Sequence, residues 1–303
     1  MPDFEPIEQA LASGQAPTME ALEQLSGLEP EDRNDFDGFW ERLDSEGRRA
    51  LVEHLDTVTQ SNVLMDFSEV GALALEDSDP AVRAHGVRLV GLETDPDALE
   101  PIIAIAISDP DAGVRLVALD ALGAFALATQ ADGWPDQIQR RLESVLLDQV
   151  QSPTVNTTER EAALLAVAYL TTPHVETEIR RAYSEPALQG AAIEAMGRNC
   201  QEIWIPDLLR EMASPDPELR MRALEASAEM EDDSLLPSVI GGLDDSDLEV
   251  RLAAVQALGA IGGTDARIAL ERAQASSDPE VQSAATEALL DIQFNEDPLS
   301  FEA

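Results

Sequence analysis

Asp247-Leu248-Glu249-Val250-Arg251-Leu252-Ala253-Ala254-Val255-Gln256-Ala257-Leu258-Gly259-Ala260-Ile261 is the stretch that decides the fold of this 303-residue chain. From Val250 the small or apolar positions are Ala254, Ala257, Leu258 and Ile261, and offsets of 4, 7, 8 and 11 line one face of an α-helix. The same face returns downstream, where Val281 is followed by Ala285, Ala288, Leu289 and Ile292. Upstream, Leu219 and Leu188 lie at further intervals of the same length, and Glu159, Val114 and Val82 continue the series. A second amphipathic segment follows each anchor, at 96–107, 135–150, 173–183, 203–213, 234–243 and 264–275. No segment shows the period-two alternation of a strand. The pattern predicts helix–turn–helix units stacked side by side: an all-α fold, an α-solenoid wound as a right-handed superhelix.

Start signals accompany the helices. Asp79-Pro80, Asp109-Pro110, Asp216-Pro217 and Asp278-Pro279 each place a capping carboxylate before a proline at the first helical position, and Asp247 opens its helix alone. Gly123, Gly197 and Gly259 read as stops. The interval from Val114 to Glu159 is well longer than the others, which predicts a longer second helix and loop around 129–135 and 151–158. Residues 1–44 read as three short helices forming an N-terminal cap, 45–293 as the repeat solenoid, and 294–303 as a flexible tail.

Composition narrows the function. The chain holds 60 Asp plus Glu against 19 basic residues, all of them Arg, for a net charge of −41. Without Lys there is no P-loop, no kinase nucleotide lysine and no Schiff-base nucleophile. Binding to nucleic acid or anionic membrane calls for basic surface, so neither is expected as a partner. The single cysteine, Cys200, cannot form an internal disulfide, the N-terminus lacks signal-peptide features, and apolar runs are short. These features predict a soluble cytoplasmic protein. Its acidity fits either adaptation to high salt or the Arg-for-Lys bias of a GC-rich genome.

The Asp-Pro-x-Val-Arg opening (Asp79, Pro80, Val82, Arg83) and the Ala-Leu-Gly element (Ala257, Leu258, Gly259) resemble HEAT repeats of the short phycobilisome-lyase type, over roughly residues 60–293. Ala195-Met196-Gly197-Arg198 with Trp204 also resembles an element of bacterial HEAT proteins. The resemblance implies that Arg83, Arg115, Arg220 and Arg251 pair with acidic groups of a neighbouring repeat, a ladder that sets register; a ligand-binding row is the other reading. It also raises two enzyme classes. Deoxyhypusine hydroxylases carry His-Glu pairs, whereas His54, His85 and His174 are followed here by Leu55, Gly86 and Val175. Phycobilin lyases chaperone a tetrapyrrole, for which no pocket is specified.

A second arginine set has a different placement. Arg140, Arg141, Arg180, Arg181, Arg210 and Arg272 fall on second helices, which line the concave face in such repeats. They form either a positive strip for an acidic or phosphorylated segment, or ordinary surface pairs with Glu143, Glu178 and Glu211. Trp204 joins them as a candidate partner contact, the other reading being that, beside Pro206, it caps the hydrophobic seam between repeats. No cluster activates a nucleophile or matches a metal site, so catalytic residues, metal and cofactor are all expected to be none. The expected function is a non-enzymatic scaffold or adaptor for protein partners; the alternative is a lyase-like chaperone of a bound tetrapyrrole or other modified group.

Overall fold

The computed structural model describes residues 3–28, 32–62, 64–131 and 133–296. Among these residues the fold is all-α, without a strand, and is a solenoid of stacked helix pairs. The chain divides into two compact units, Met1–Val167 and Ala168–Ala303.

The first unit holds α1 (Glu5–Ala12), α2 (Met19–Leu22), α3 (Arg33–Arg42), α4 (Ser45–Ser61), α5 (Ser68–Ala74), α6 (Pro80–Glu93), α7 (Leu99–Ser108), α8 (Ala112–Ala128), α9 (Asp136–Gln151) and α10 (Thr157–Val167). The first helices of successive pairs, α6, α8 and α10, pack on one another, with α7 and α9 laid along them. At the start of the chain Phe4 lies tilted against Phe39 with centroids 5.0 Å apart and meets Phe36 edge-on at 5.8 Å. These rings share one buried cluster with Leu51, Leu55, Phe67, Val82 and Leu89, which extends the core into α4, α5 and α6. Burial of such rings with their aliphatic neighbours stabilises that end. The long interval after Val114 resolves as α8 running to Ala128 and an extended α9, with Trp134 edge-on to Phe125 at 6.4 Å between them.

The second unit holds α11 (Pro173–Tyr183), α12 (Gln189–Asn199), α13 (Ile205–Glu211), α14 (Pro217–Met230), α15 (Leu236–Gly242), α16 (Leu248–Ile261), α17 (Gly263–Ala273) and α18 (Pro279–Glu296). Here α12, α14, α16 and α18 pack on one another in one row, and α11, α13, α15 and α17 are the second helices. This row of first helices packs through small residues: Ala192 and Ala195, then Ala223 and Ala226, then Ala254 and Ala257, all buried. Within the expected tail, α18 continues to Glu296, and residues 297–303 lie outside the described residues.

The glycine stops are corrected by the structure. Gly123, Gly197 and Gly259 lie inside α8, α12 and α16. A Cβ on Gly197 would sit 2.7 Å from Ala226 Cα and 2.8 Å from its carbonyl oxygen, so this glycine permits the close approach of α12 to α14. The chain reverses instead at Thr94, Cys200 and Glu231, which take φ of 48°, 51° and 49°, and at Gly262, with φ 68°. No helix among the described residues is long and apolar enough to cross a membrane.

Candidate partner-binding surface

Arginines occupy two settings, and the turns between repeats define the first. Before α6, the Asp77 carboxylate accepts from the Asp79 backbone N–H at 2.8 Å, and Asp79 caps the helix by accepting from Ala81 N–H at 2.9 Å. Asp245 and Asp247 repeat this before α16, at 2.9 Å and at 3.0 Å to Glu249. Ser214 and Ser276 hydroxyls take the first role before Asp216 and Asp278, at 3.3 and 3.1 Å. Asp216 and Asp278 then accept from Glu218 and Glu280 N–H, each at 3.0 Å.

The turn before α8 corrects the expected cap. The helix begins at Ala112 rather than Pro110, and the capping residue is Asp111, extended at φ −91° and ψ 124°, which accepts from Gly113 and Val114. Asp109 has the first role, accepting from Asp111 N–H at 2.9 Å. The reason is the two-carboxylate turn: the first acid braces the loop and the second meets the free helix N–H groups.

The arginine follows within the first turns of the helix. Its Nη1 donates back to the backbone carbonyl of the first turn position: Arg83 to Asp77 at 2.8 Å, Arg115 to Asp109 at 2.6 Å, Arg220 to Ser214 and Arg251 to Asp245 at 2.9 Å. Its other edge crosses to the next turn. Arg83 grips Asp109 bidentately at 2.7 and 2.8 Å, Arg220 grips Asp245 at 2.8 Å twice, and Arg251 reaches Asp278 at 2.8 Å. Arg115 donates through Nε to the buried Glu159 at 3.2 Å. Upstream, Arg48 pairs with Asp77 at 3.2 Å and Arg49 pairs with Asp79. Such planar forks fix orientation as well as charge. The guanidinium hydrogen bonds hold the Asp109 and Asp245 carboxyls below the usual carboxylate range, with burial opposing them.

The second helices define the other setting. On α9, Arg141 forks onto Glu100 of α7 at 2.9 and 3.1 Å, while Arg140 has no ion pair among the described residues. On α11, Arg181 pairs with Glu178 one turn back, and Arg180 pairs with Glu176 at 3.2 Å and with Asp207 of α13 at 3.5 Å. On α13, Arg210 pairs with the same Asp207, donates to the Tyr183 hydroxyl at 3.1 Å, and lies 3.6 Å from Glu211. The Tyr183 hydroxyl in turn donates to Glu211, and its burial together with that bond pushes the phenol upward. Arg272, on α17, is exposed and has no ion pair among the described residues. The continuous positive strip is therefore interrupted by carboxylates at Arg141, Arg180, Arg181 and Arg210.

Trp204, expected among the partner contacts, is corrected: its side chain is 0% exposed. The indole N–H donates to Asn199 Oδ1 at 2.8 Å, and the Asn199 amide donates to the Ala168 and Leu170 carbonyls at 2.7 and 3.1 Å. The Arg180 guanidinium covers the ring at 4.6 Å. An aromatic with a polar handle is buried once that handle finds a partner, and here Asn199 provides it.

Several residues of these networks carry no mark in the helical periodicity, among them Asp77, Asp245, Asp111 and Asp207. A signal for the first three does exist: Asp-x-Asp-x-x-x-Arg recurs at 77–83, 109–115 and 245–251.

The family model described as HEAT repeats matches residues 68–140 and 205–290, more than half of the chain. No curated protein matches the sequence. Among solved structures, the complex of CpcE and CpcF of phycocyanin lyase from Nostoc sp. PCC7120 is similar at 17% identity and TM-score 0.50, covering 88% of this chain and 95% of that one. Kap95p, solved with RanGDP, is similar at 15% identity and TM-score 0.50, covering 96% of this chain and 46% of its own. The E. coli YibA structure covers 91% of this chain and 97% of its own at 15% identity and TM-score 0.44. These likenesses concern the fold.

Proposed function

We propose that this chain, which belongs to the HEAT-repeat family, is a non-enzymatic cytoplasmic scaffold or adaptor whose second helices bind a protein partner. One observation carries the reading. Arg180 and Arg210, 48% and 57% exposed, stand on adjacent second helices and share the single carboxylate of Asp207. A guanidinium offers five N–H donors, and Arg210 commits only Nε and Nη2 among the described residues. The pair thus keeps donors for an incoming anionic group, as carboxylate or phosphate, without breaking its own contacts. Arg140 and Arg141 offer a similar point on α9. Repeat stacks present extended surfaces of this kind, and two of the similar structures are complexes with other proteins.

Affinity capture with the full chain and with Arg180→Glu/Arg210→Glu, at matched salt, tests the reading. The expected result is one stoichiometric partner whose recovery falls at least tenfold with the double variant. Equal recovery by a folded double variant would contradict it.

A further inference from the structure

The second-helix face of the second unit changes chemistry along its length. On α11 and α13, Arg180, Arg181 and Arg210 are met by Glu176, Glu178, Asp207 and Glu211. The next second helix, α15, is Leu236-Pro237-Ser238-Val239-Ile240-Gly241-Gly242 and carries no charge. Gly241 stands one full repeat after Arg210, and Arg272 stands one full repeat after Gly241. The repeat therefore returns the arginine on α17 but supplies no carboxylate from α15 to hold it.

A cleft of about 270 Å³ lies between these two helices. Leu236, Pro237, Ile240, Ile268 and Ala269 form its apolar wall, with Arg272 on its rim. Ile268 is 51% exposed, a large apolar side chain left in water. Asp265 lines the cleft on the same helix as Arg272, two turns before it and about 10 Å away along the axis. The cleft is smaller than the roughly 300–1,000 Å³ typical of small-molecule sites, so it suits side chains of a docked segment rather than a cofactor. An apolar anchor in a small recess beside a charge pair is the usual anatomy of a strong contact. The two charges also impose a direction: a carboxylate is drawn to Arg272 and repelled by Asp265.

We infer that the α15–α17 cleft is the docking site for a partner segment that presents an aliphatic or aromatic side chain and, about one helical turn away, an Asp or Glu. The apolar side chain covers Ile240 and Ile268, and the carboxylate pairs with Arg272. The inference rests on the scaffold reading and names the segment that the scaffold engages.

Phage display of random dodecapeptides on the full chain tests it, followed by fluorescence anisotropy of the selected peptides as synthetic probes. The expected consensus pairs Leu, Ile or Phe with Asp or Glu at a spacing of three or four. Ile268→Asp and Arg272→Glu, both at exposed positions and checked for folding by circular dichroism, are each expected to weaken the probe at least tenfold. A consensus that is basic or lacks an acid would overturn the cleft assignment. So would binding unchanged by either variant, or a dimer of the chain that Ile268→Asp converts to monomer. Binding lost only with Arg180→Glu/Arg210→Glu would move the site to α11–α13, overturning the cleft and sparing the scaffold reading. No enrichment at all would count against both.

Discussion

Arginines at the repeat openings and arginines on the second helices are the same residue put to opposite uses. Arg83 and Asp109 are 11% and 4% exposed, joined by two hydrogen bonds across repeats, with a third bond from Arg83 back to its own turn. Arg141 and Glu100 also form a two-bond fork, yet are 47% and 63% exposed. Geometry is nearly identical, so the difference lies in water. A buried fork holds its charges in place because either partner alone would be stranded; an exposed one is worth little and exchanges readily. On the proposed reading, the openings serve register and the second helices keep arginines for a partner.

The sharpest way to break this contrast is Arg83→Ala. It strands the Asp109 carboxylate and frees the Asp77 carbonyl, so we expect a loss of about 2–3 kcal/mol in chemical denaturation. A loss under about 0.5 kcal/mol would place Arg83 in the class of ordinary surface pairs.

Acid sharpens the contrast next. The folded-state values of Asp109 and Asp245 lie below the ordinary carboxylate value, through hydrogen bonds from Arg83 and Arg220. Their contribution to stability is therefore complete above about pH 5 and is lost as pH falls through the lowered values. The stability gap between wild type and Arg83→Ala should narrow steadily from about pH 5 toward about pH 2. A gap independent of pH would remove the charge of Asp109 from the explanation.

The smallest effect is expected at Arg141→Ala, below about 0.5 kcal/mol at low salt and vanishing near 1 M, where the Debye length is about 3 Å. Wild type itself should melt higher as salt rises, because a net charge of −41 repels itself. A fall in melting temperature with salt would show that exposed pairs, not self-repulsion, dominate the surface electrostatics.

Helix pairing was legible in the sequence because a buried face must recur at helical spacing, and a near-constant period repeats that requirement along the chain. The second-helix segments at 173–183 and 264–275 compare with α11 at Pro173–Tyr183 and α17 at Gly263–Ala273. Periodicity says less about small residues, which serve either as helix ends or as contact points; Gly197 proved to be a contact because Ala226 lies against it. Nor does it apportion roles between neighbouring acids. Asp109 and Asp111 are both extended and differ in what they accept, Asp109 from the Asp111 N–H of the turn and Asp111 from the Gly113 and Val114 N–H groups of the helix, a choice made by the turn as a whole. For Trp204 the sequence allowed either a partner contact or a cap on the seam between repeats, because nothing local announces Asn199 as its hydrogen-bond acceptor. The charge state of the second-helix face depended on Asp207, which only the packing of α13 beside α11 brings between Arg180 and Arg210.

The decisive experiment is paired, on Arg220→Ala and Arg210→Ala in the same unit. Melting temperature and partner capture are recorded for both, with capture done where each is folded. A division between register arginines and recruitable arginines predicts that Arg220→Ala lowers the melting temperature and leaves capture intact, while Arg210→Ala does the reverse. Equal losses of melting temperature, with capture falling only as far as the folded fraction falls, would contradict it.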